Sequence, residues 1–244
     1  MSLQEMASWL LDEGRSMVAF TGAGMSTESG LPDFRSSSGL WRGRDPMKVA
    51  SIWALRSDPG DFYDFYRTRL DSLRKAMPNR GHHALARMEE IGVLRCVITQ
   101  NVDGLHQAAG SRRVVELHGN LRHARCVSCG QRYPIEAVSE ASSIPRCDRC
   151  HDLVKPGVVL FGESLPSRAL EEAFQEAKGC GLLMVIGSSL EVSPANMLPG
   201  TAKASGARLA VANRTPTPAD GMADYVYRDE AGEVLSRLLG FLEG

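Results

Sequence analysis

Two cysteine pairs, Cys126-Val127-Ser128-Cys129 and Cys147-Asp148-Arg149-Cys150, are separated by seventeen residues. Two residues between sulfurs let one tight turn aim both at a single ion. Four thiolates suit Zn²⁺ and leave no open position for a reacting water. The spacing therefore predicts one structural zinc ion. Four free thiols or a redox Cys-x-x-Cys are the other readings, and two matched pairs disfavour both. A nucleic-acid-binding ribbon is the rival use. Between Arg122 and Arg149 five arginines stand against three acids, a mild excess rather than a patch.

A second group of residues suggests nucleotide chemistry. Thr21-Gly22-Ala23-Gly24-Met25-Ser26 follows an apolar run directly. Glycines there let a chain turn tightly and approach a diphosphate, although a plain strand–helix turn uses them too, and Thr27 stands where a third glycine would be. The stretch from Ser26 to Arg35 is polar, punctuated by Gly30 and Pro32, and reads as a mobile loop over such a site. Thr99-Gln100-Asn101-Val102-Asp103-Gly104-Leu105-His106 begins where another apolar run ends, and Val114–Leu117 runs into His118-Gly119-Asn120 in the same way. Two strands ending in polar groups make a site, because ligands of parallel sheets sit beyond the strands' C-terminal ends. His118 is then a candidate general base. A lone histidine beside a strand is more often a satisfied core residue; its convergence with the glycine loop and the Gln-Asn-Asp block reverses that preference. His82, His83, His106, His123 and His151 lack such company and read as structural or solvated.

The elements that must position these groups follow from composition and periodicity. The 244 residues carry 28 Lys+Arg against 29 Asp+Glu, a net charge of -1, which argues against a general polyanion binder. Hydrophobic residues are 43% and charged residues 23%, as in ordinary globular chains. No apolar run suggests a membrane span, the first residues do not resemble a secretory signal, and sparse cysteines suit a reducing cytoplasm. Strands are expected at Met17–Thr21, Val93–Thr99, Val114–Leu117, Val158–Phe161, Leu182–Gly187, Arg208–Asn213 and Tyr225–Tyr227. Helical spacing marks Leu3 to Leu10 (with Gly14 as a stop), Leu85 to Ile91, Leu170 to Ala177 and Val234 to Leu239. This alternation predicts an α/β fold with a parallel sheet. Residues 35–80, with helices expected at Pro46–Arg56 and Asp61–Met77, and residues 119–155 with the cysteines break the rhythm and read as a smaller second lobe.

Together these segments resemble the sirtuin family of NAD-dependent protein lysine deacylases. The likeness runs from Gly22–Ser26 through Gly30–Arg35, Thr99–His106, Leu117–Asn120, the cysteine quartet, Val154–Glu163 and Gly187–Val192 to Asn213. It implies a Rossmann-like domain of residues 1–34, 81–120 and 155–244, and a small domain made of a helical module, 35–80, and a zinc ribbon, 121–154. By position it implies that Gly22, Ala23 and Gly24 hold the NAD diphosphate and that Asp33, Phe34 and Arg35 belong to a cofactor loop. Gln100 and Asn101 would meet the nicotinamide ribose and Asp103 the carboxamide. Gly187, Ser188 and Ser189 would line the adenosine side, with Asn213 at its ribose. Val158, Phe161, Gly162, Glu163 and Leu190 would flank a substrate peptide. NAD would be consumed, with His118 taking a proton through the ribose hydroxyls and Asn101 beside it, to give free lysine, nicotinamide and O-acyl-ADP-ribose.

Tyr66 and Arg69 lie three apart on the expected helix, so both face one side. Their spacing resembles the Tyr-x-x-Arg of sirtuins that accept succinyl- or malonyl-lysine; an exposed helix face is the other reading, and Thr27, where such relatives have Ala, could narrow the acyl tunnel. Acyl-lysine proteins are the implied partners, with neither nucleic acid nor membrane, and a monomer is favoured. Mono-ADP-ribosyl transfer and a non-catalytic NAD or zinc-ribbon module are the alternative functions. Both have less need of an intact His118.

Overall fold

The computed structural model describes residues 2–12, 16–34, 39–40, 43 and 45–244; Gly14 and Arg35 lie outside them. In chain order the strands are β1 (Met17–Thr21), β2 (Leu94–Thr99), β3 (Val114–Glu116), β4 (Gly119–Cys126), β5 (Arg132–Pro134), β6 (Val154–Val158), β7 (Leu182–Ile186), β8 (Arg208–Ala212) and β9 (Tyr225–Tyr227). The helices are α1 (Leu3–Asp12), α2 (Pro46–Val49), α3 (Ile52–Ser57), α4 (Pro59–Lys75), α5 (Arg80–Glu90), α6 (Leu105–Ala108), α7 (Glu136–Ser139), α8 (Ser167–Gly179), α9 (Leu198–Ala204) and α10 (Ala231–Glu243).

Six strands form one parallel sheet in the order β3-β2-β1-β7-β8-β9. β1 is buried throughout, and its side chains divide between two cores. Met17 and Ala19 join Leu85, Met88, Leu235 and Leu238 of α5 and α10. Val18 and Phe20 join Ala173, Ala177, Leu198 and Ala202 of α8 and α9. Burial on both faces is why these runs show no polar alternation. The chain goes from β1 toward β2 and β3 on one side and from β7 toward β8 and β9 on the other. β1 and β7 therefore flank the switch point, where the loops diverge and leave a crevice.

A second sheet, antiparallel and ordered β5-β4-β6, packs against α4. Phe62, Tyr63, Phe65 and Tyr66 of α4 share a third core with Leu121, Ala124, Val154 and Leu160. The Tyr63 hydroxyl donates to the Val154 carbonyl at 2.8 Å and so keeps its oxygen satisfied inside that core.

Some elements differ from expectation. The strand expected at Val158–Phe161 lies earlier, at Val154–Val158. Pro156 falls inside it, which is tolerated because β6 is an edge strand, where a residue without an N–H can sit. The helix expected over Pro46–Arg56 is two helices. Ser51 interrupts it, capping α3 by accepting from Ala54 N at 3.0 Å. The expected Asp61–Met77 helix begins at Pro59, where Asp58 accepts from Asp61 N at 3.2 Å. The start of the expected mobile loop, Ser26–Ser29, instead belongs to a 3₁₀ helix over Ala23–Ser29 with Met25 and Ser26 buried. Among the described residues no helix is long and apolar enough to cross a membrane.

Candidate active site

The glycine loop leaves the C-terminal end of β1 and interlocks with the chain leaving β7. Gly22 N donates to the Ile186 carbonyl at 3.0 Å, and Gly24 N to the Gly187 carbonyl at 2.8 Å. A Cβ on Gly24 would lie 2.8 Å from Gly187 Cα, and one on Gly187 would lie 2.3 Å from Met25 N. Gly187 also has φ +58°, a left-handed backbone that side chains disfavour. The pattern that reads as a phosphate loop is thus also a steric requirement for bringing two strand ends together.

Beyond β2, Gln100 N donates to the Thr21 carbonyl at 3.0 Å and its Nε2 to Ser188 Oγ at 2.8 Å. Asn101 is buried; its Nδ2 donates to the Gly22 carbonyl at 3.0 Å and to Ser26 Oγ at 3.2 Å. Ser26 Oγ in turn donates to Asp103 Oδ2 at 2.8 Å, and Asp103 Oδ1 accepts from Leu105 N at 3.0 Å. Ser26 therefore ties the glycine loop to the polar block, a role that its type alone did not announce. Below them Thr21 Oγ1 donates to Thr99 Oγ1 at 2.8 Å and lies 3.0 Å from His106 Nε2, while Thr99 Oγ1 accepts from Asn101 N at 3.0 Å. His106 thus has the company that its sequence neighbours did not suggest.

His118 follows β3. Its Nδ1 is 3.1 Å from the Gln100 carbonyl. A carbonyl only accepts, so Nδ1 carries the proton and Nε2 keeps its lone pair. Burial lowers the imidazole pKa, against which the Gln100 bond raises it. The ring is therefore neutral at pH 7, as a general base must be.

A cavity of about 720 Å³ brings most of these groups together. It is lined by Gly22, Ala23, Gly24, Gly187, Ser188, Ser189 and Asn213, by Gln100 and His118, by Val158, Phe161, Gly162, Glu163, Tyr66 and Arg69, and by Asp33 and Phe34. Asn101 and Asp103 line a second cavity of about 370 Å³, which meets the first at Ala23, Phe34, Val102 and Arg69. Leu190 lines neither; it is buried with φ +57° and its N donates to Ser188 Oγ at 3.3 Å. Thr27 lines neither cavity, its hydroxyl being turned to the Gly24 carbonyl at 2.9 Å. Tyr66 is buried, and the Arg69 guanidinium stands 5.2 Å from the Phe34 ring centroid. Burial lowers the Arg69 pKa and pushes Tyr66 up to about 12.

The Sir2 family model matches residues 22–194. The chain belongs to the Sir2 family. It is 48% identical to an NAD-dependent protein deacetylase of Oceanobacillus iheyensis over 92% of this chain and 95% of that protein. It is 43% identical to NAD-dependent protein deacylase 1 of Archaeoglobus fulgidus over 93% of each. A Sir2 homolog–NAD complex superposes with a TM-score of 0.91 at 39% identity, covering 98% of this chain and 93% of that one. A Sir2–p53 peptide–NAD+ complex does so with a TM-score of 0.87 at 40% identity and 98% coverage of both.

This Sir2 chain also carries the zinc donor set. The sulfurs of Cys126, Cys129, Cys147 and Cys150 all lie within 4.8 Å of one another, with Cys126–Cys150 at 3.4 Å and Cys129–Cys147 at 3.6 Å. Those spacings are far too long for a disulfide and close to the edge of about 3.8 Å that a tetrahedron of Zn–S bonds requires. Each pair sits on a turn completed by a left-handed residue, Gly130 after the first and His151 after the second. The four thiolates would hold one Zn²⁺ and cross-link the small sheet, a structural task.

Proposed function

We propose that this protein removes acyl groups from protein lysines with consumption of NAD, releasing nicotinamide and O-acyl-ADP-ribose. The observation that carries this reading is the single cavity in which glycine-loop backbone, Gln100, His118 and a wall of Val158, Phe161 and Gly162 converge. The deacetylase and deacylase names of its Sir2 relatives support it.

In this reading the NAD diphosphate lies along Gly22, Ala23 and Gly24, which line the large cavity. Gly187, Ser188 and Ser189 carry the adenosine side, with Asn213 at its ribose. Asp33, Phe34 and Arg35 belong to the cofactor loop. Gln100 and Asn101 face the nicotinamide ribose and Asp103 the carboxamide, a reading supported by Asn101 and Asp103 lining a second cavity that shares Ala23, Phe34, Val102 and Arg69 with the first. Bound NAD supplies a ribose carbon made electrophilic as neutral nicotinamide departs. His118, held by Gln100 with Nε2 unprotonated, accepts a proton from a ribose hydroxyl. Phe34 and the other apolar wall residues exclude bulk water. Val158, Phe161, Gly162 and Glu163 flank a peptide that adds as an extra strand, whereas Leu190, expected among them, is buried off both cavities and bonds to Ser188 instead. Residues 1–34, 81–120 and 155–244 form the larger unit, and 35–80 with 121–154 the smaller; the third core, which joins α4 to β4, supports the pairing of 35–80 with 121–154, while β6 and Leu160 also belong to that core.

Acidic acyl groups fit as well. Arg69 brings a guanidinium to the cavity with no ion-pair or hydrogen-bond partner among the described residues, and a succinyl or malonyl carboxylate would supply one, with Tyr66 beside it.

Incubation with NAD and one peptide bearing acetyl-, propionyl-, malonyl- or succinyl-lysine tests the reading. Nicotinamide release should depend on the acylated peptide. Release that is indifferent to peptide excludes deacylation.

A further inference from the structure

The segment leaving β6 forms one wall of the large cavity through Val158, Phe161, Gly162 and Glu163. Its backbone is pinned from outside. Val159 N donates to the His118 carbonyl at 2.8 Å, Phe161 N to the Ala50 carbonyl at 3.0 Å, and Ile52 N to the Phe161 carbonyl at 3.0 Å. Glu163 also closes the turn on itself: its N donates to the Leu160 carbonyl at 3.0 Å and its Oε2 accepts from Leu160 N at 2.8 Å.

Behind this wall lies a buried charge outside the catalytic groups. Lys155 on β6 is only 1% exposed. Burying an ammonium costs several kcal/mol unless good partners offset it, so its partners show its task. Nζ donates to the Val158 carbonyl at 2.5 Å and to Glu163 Oε2 at 2.8 Å, joining the first residue of the wall to the last. Arg125, opposite Lys155 on β4, reaches Glu163 Oε1 at 3.5 Å but is itself exposed at 41%. Without the ammonium, the Val158 carbonyl loses this donor and the Glu163 carboxylate keeps the Leu160 N–H and a long, solvent-screened ion pair.

We propose that Lys155 is a positioning residue for the substrate peptide: by clamping the Val158 carbonyl and the Glu163 carboxylate it fixes the wall 158–163 in the shape that receives the chain flanking the acyl-lysine. This rests on the reading of that wall as the peptide side of the cavity. Lys155 touches neither NAD nor the reacting atoms.

Steady-state kinetics of the full chain with NAD and an acetyl-lysine peptide provide the test. Lys155→Met, close in volume and uncharged, should raise the peptide KM about tenfold or more, the worth of a charge-assisted hydrogen bond, while the NAD KM and the kcat at saturating peptide move little. If the stranded carboxylate prevents that variant from folding, Lys155→Met/Glu163→Gln removes both charges and keeps an acceptor for Leu160 N. It should show the same split, because the tie to Val158 is lost in both. The unmodified protein gives a third readout. Burial lowers the Lys155 pKa to about 8, against the raising effect of Glu163. Of the groups that face Glu163, Arg125 is the other cation, and Tyr66 on α4 stays protonated with its pKa pushed up to about 12. From pH 7 to 9 the peptide KM should therefore rise severalfold with the NAD KM level. An unchanged peptide KM, or equal rises in both KM values, overturns the proposal. Phe161→Ala separates the two levels of inference. If it leaves the peptide KM unmoved, the wall is not the peptide side. If it raises the peptide KM and Lys155→Met does not, the assigned role of Lys155 alone is wrong.

Discussion

Lowering the pH from 7 to 5 probes the histidine pair beneath the site. His82 is 0% and His106 1% exposed, and their rings lie 4.8 Å apart, centroid to centroid. Burial pushes His82 down to about 4 and His106 down to about 3. A histidine that stays neutral in the fold but protonates near pH ~6.5 once unfolded contributes stability that is fully present above that value. The contribution is lost as pH falls toward the folded pKa, because only the unfolded chain takes up the proton. Linkage gives a loss of about 2 kcal/mol per histidine between pH 7 and 5. About 4 kcal/mol for the pair is a large part of a typical 5–15 kcal/mol, and corresponds to roughly 8–16 °C in Tm for a chain of this size. Carboxylates and zinc-binding thiolates respond to the same acidification, so the informative quantity is a difference between proteins. His82→Gln provides it. His82 Nδ1 accepts from Asn79 N at 3.3 Å in the capping box of α5, and glutamine is itself a capping-box residue that cannot protonate. Urea denaturation of both proteins at pH 7, 6 and 5 should show the variant gaining about 2 kcal/mol on the unmodified protein by pH 5. A difference that stays constant with pH would mean that His82 is not held neutral, and the reasoning fails.

Other outcomes follow from the site. His118→Ala should lower kcat by about 10²–10⁴-fold while NAD still binds, measured by turnover and by titration calorimetry; retained turnover removes His118 from the role of base. Metal analysis should find one zinc ion for the four sulfurs, and a strong chelator should lower the Tm; a zinc-free folded protein with unchanged Tm rules out the metal. Arg69→Met should cut succinyl-lysine turnover, as kcat/KM, by roughly 10–150-fold and acetyl-lysine turnover far less, from the loss of a charge-assisted pair. Equal losses would make Arg69 a structural residue.

How much of this was legible depended on whether a residue's role was local. The parallel sheet could be read because each strand needs apolar side chains on both faces, as Met17, Val18, Ala19 and Phe20 demonstrate. The cysteine quartet could be read because two thiolates on one turn already imply an ion. β4 and β5 were missed because each small strand has one wet face, so that Arg122, Arg125 and Arg132 interrupt the apolar pattern. His82 and His106, which read as structural or solvated, and Lys155, whose task no spacing marks, are set by partners far along the chain or across a turn. His106 meets Thr21 from 85 residues away, and Lys155 reaches Glu163 only because β6 ends where it does. A buried polar residue has the same letter as an exposed one, and what separates them is the set of hydrogen bonds that burial demands. In this chain those bonds are what join the two cores of the large sheet to the cavity: Thr21 and Thr99 brace Asn101, and Gln100 orients His118. The chemistry thus sits on residues that pattern can find, and its precision on residues that pattern cannot. The pH response of His82 and the peptide KM of Lys155→Met therefore test the architecture more sharply than another deletion of the base would.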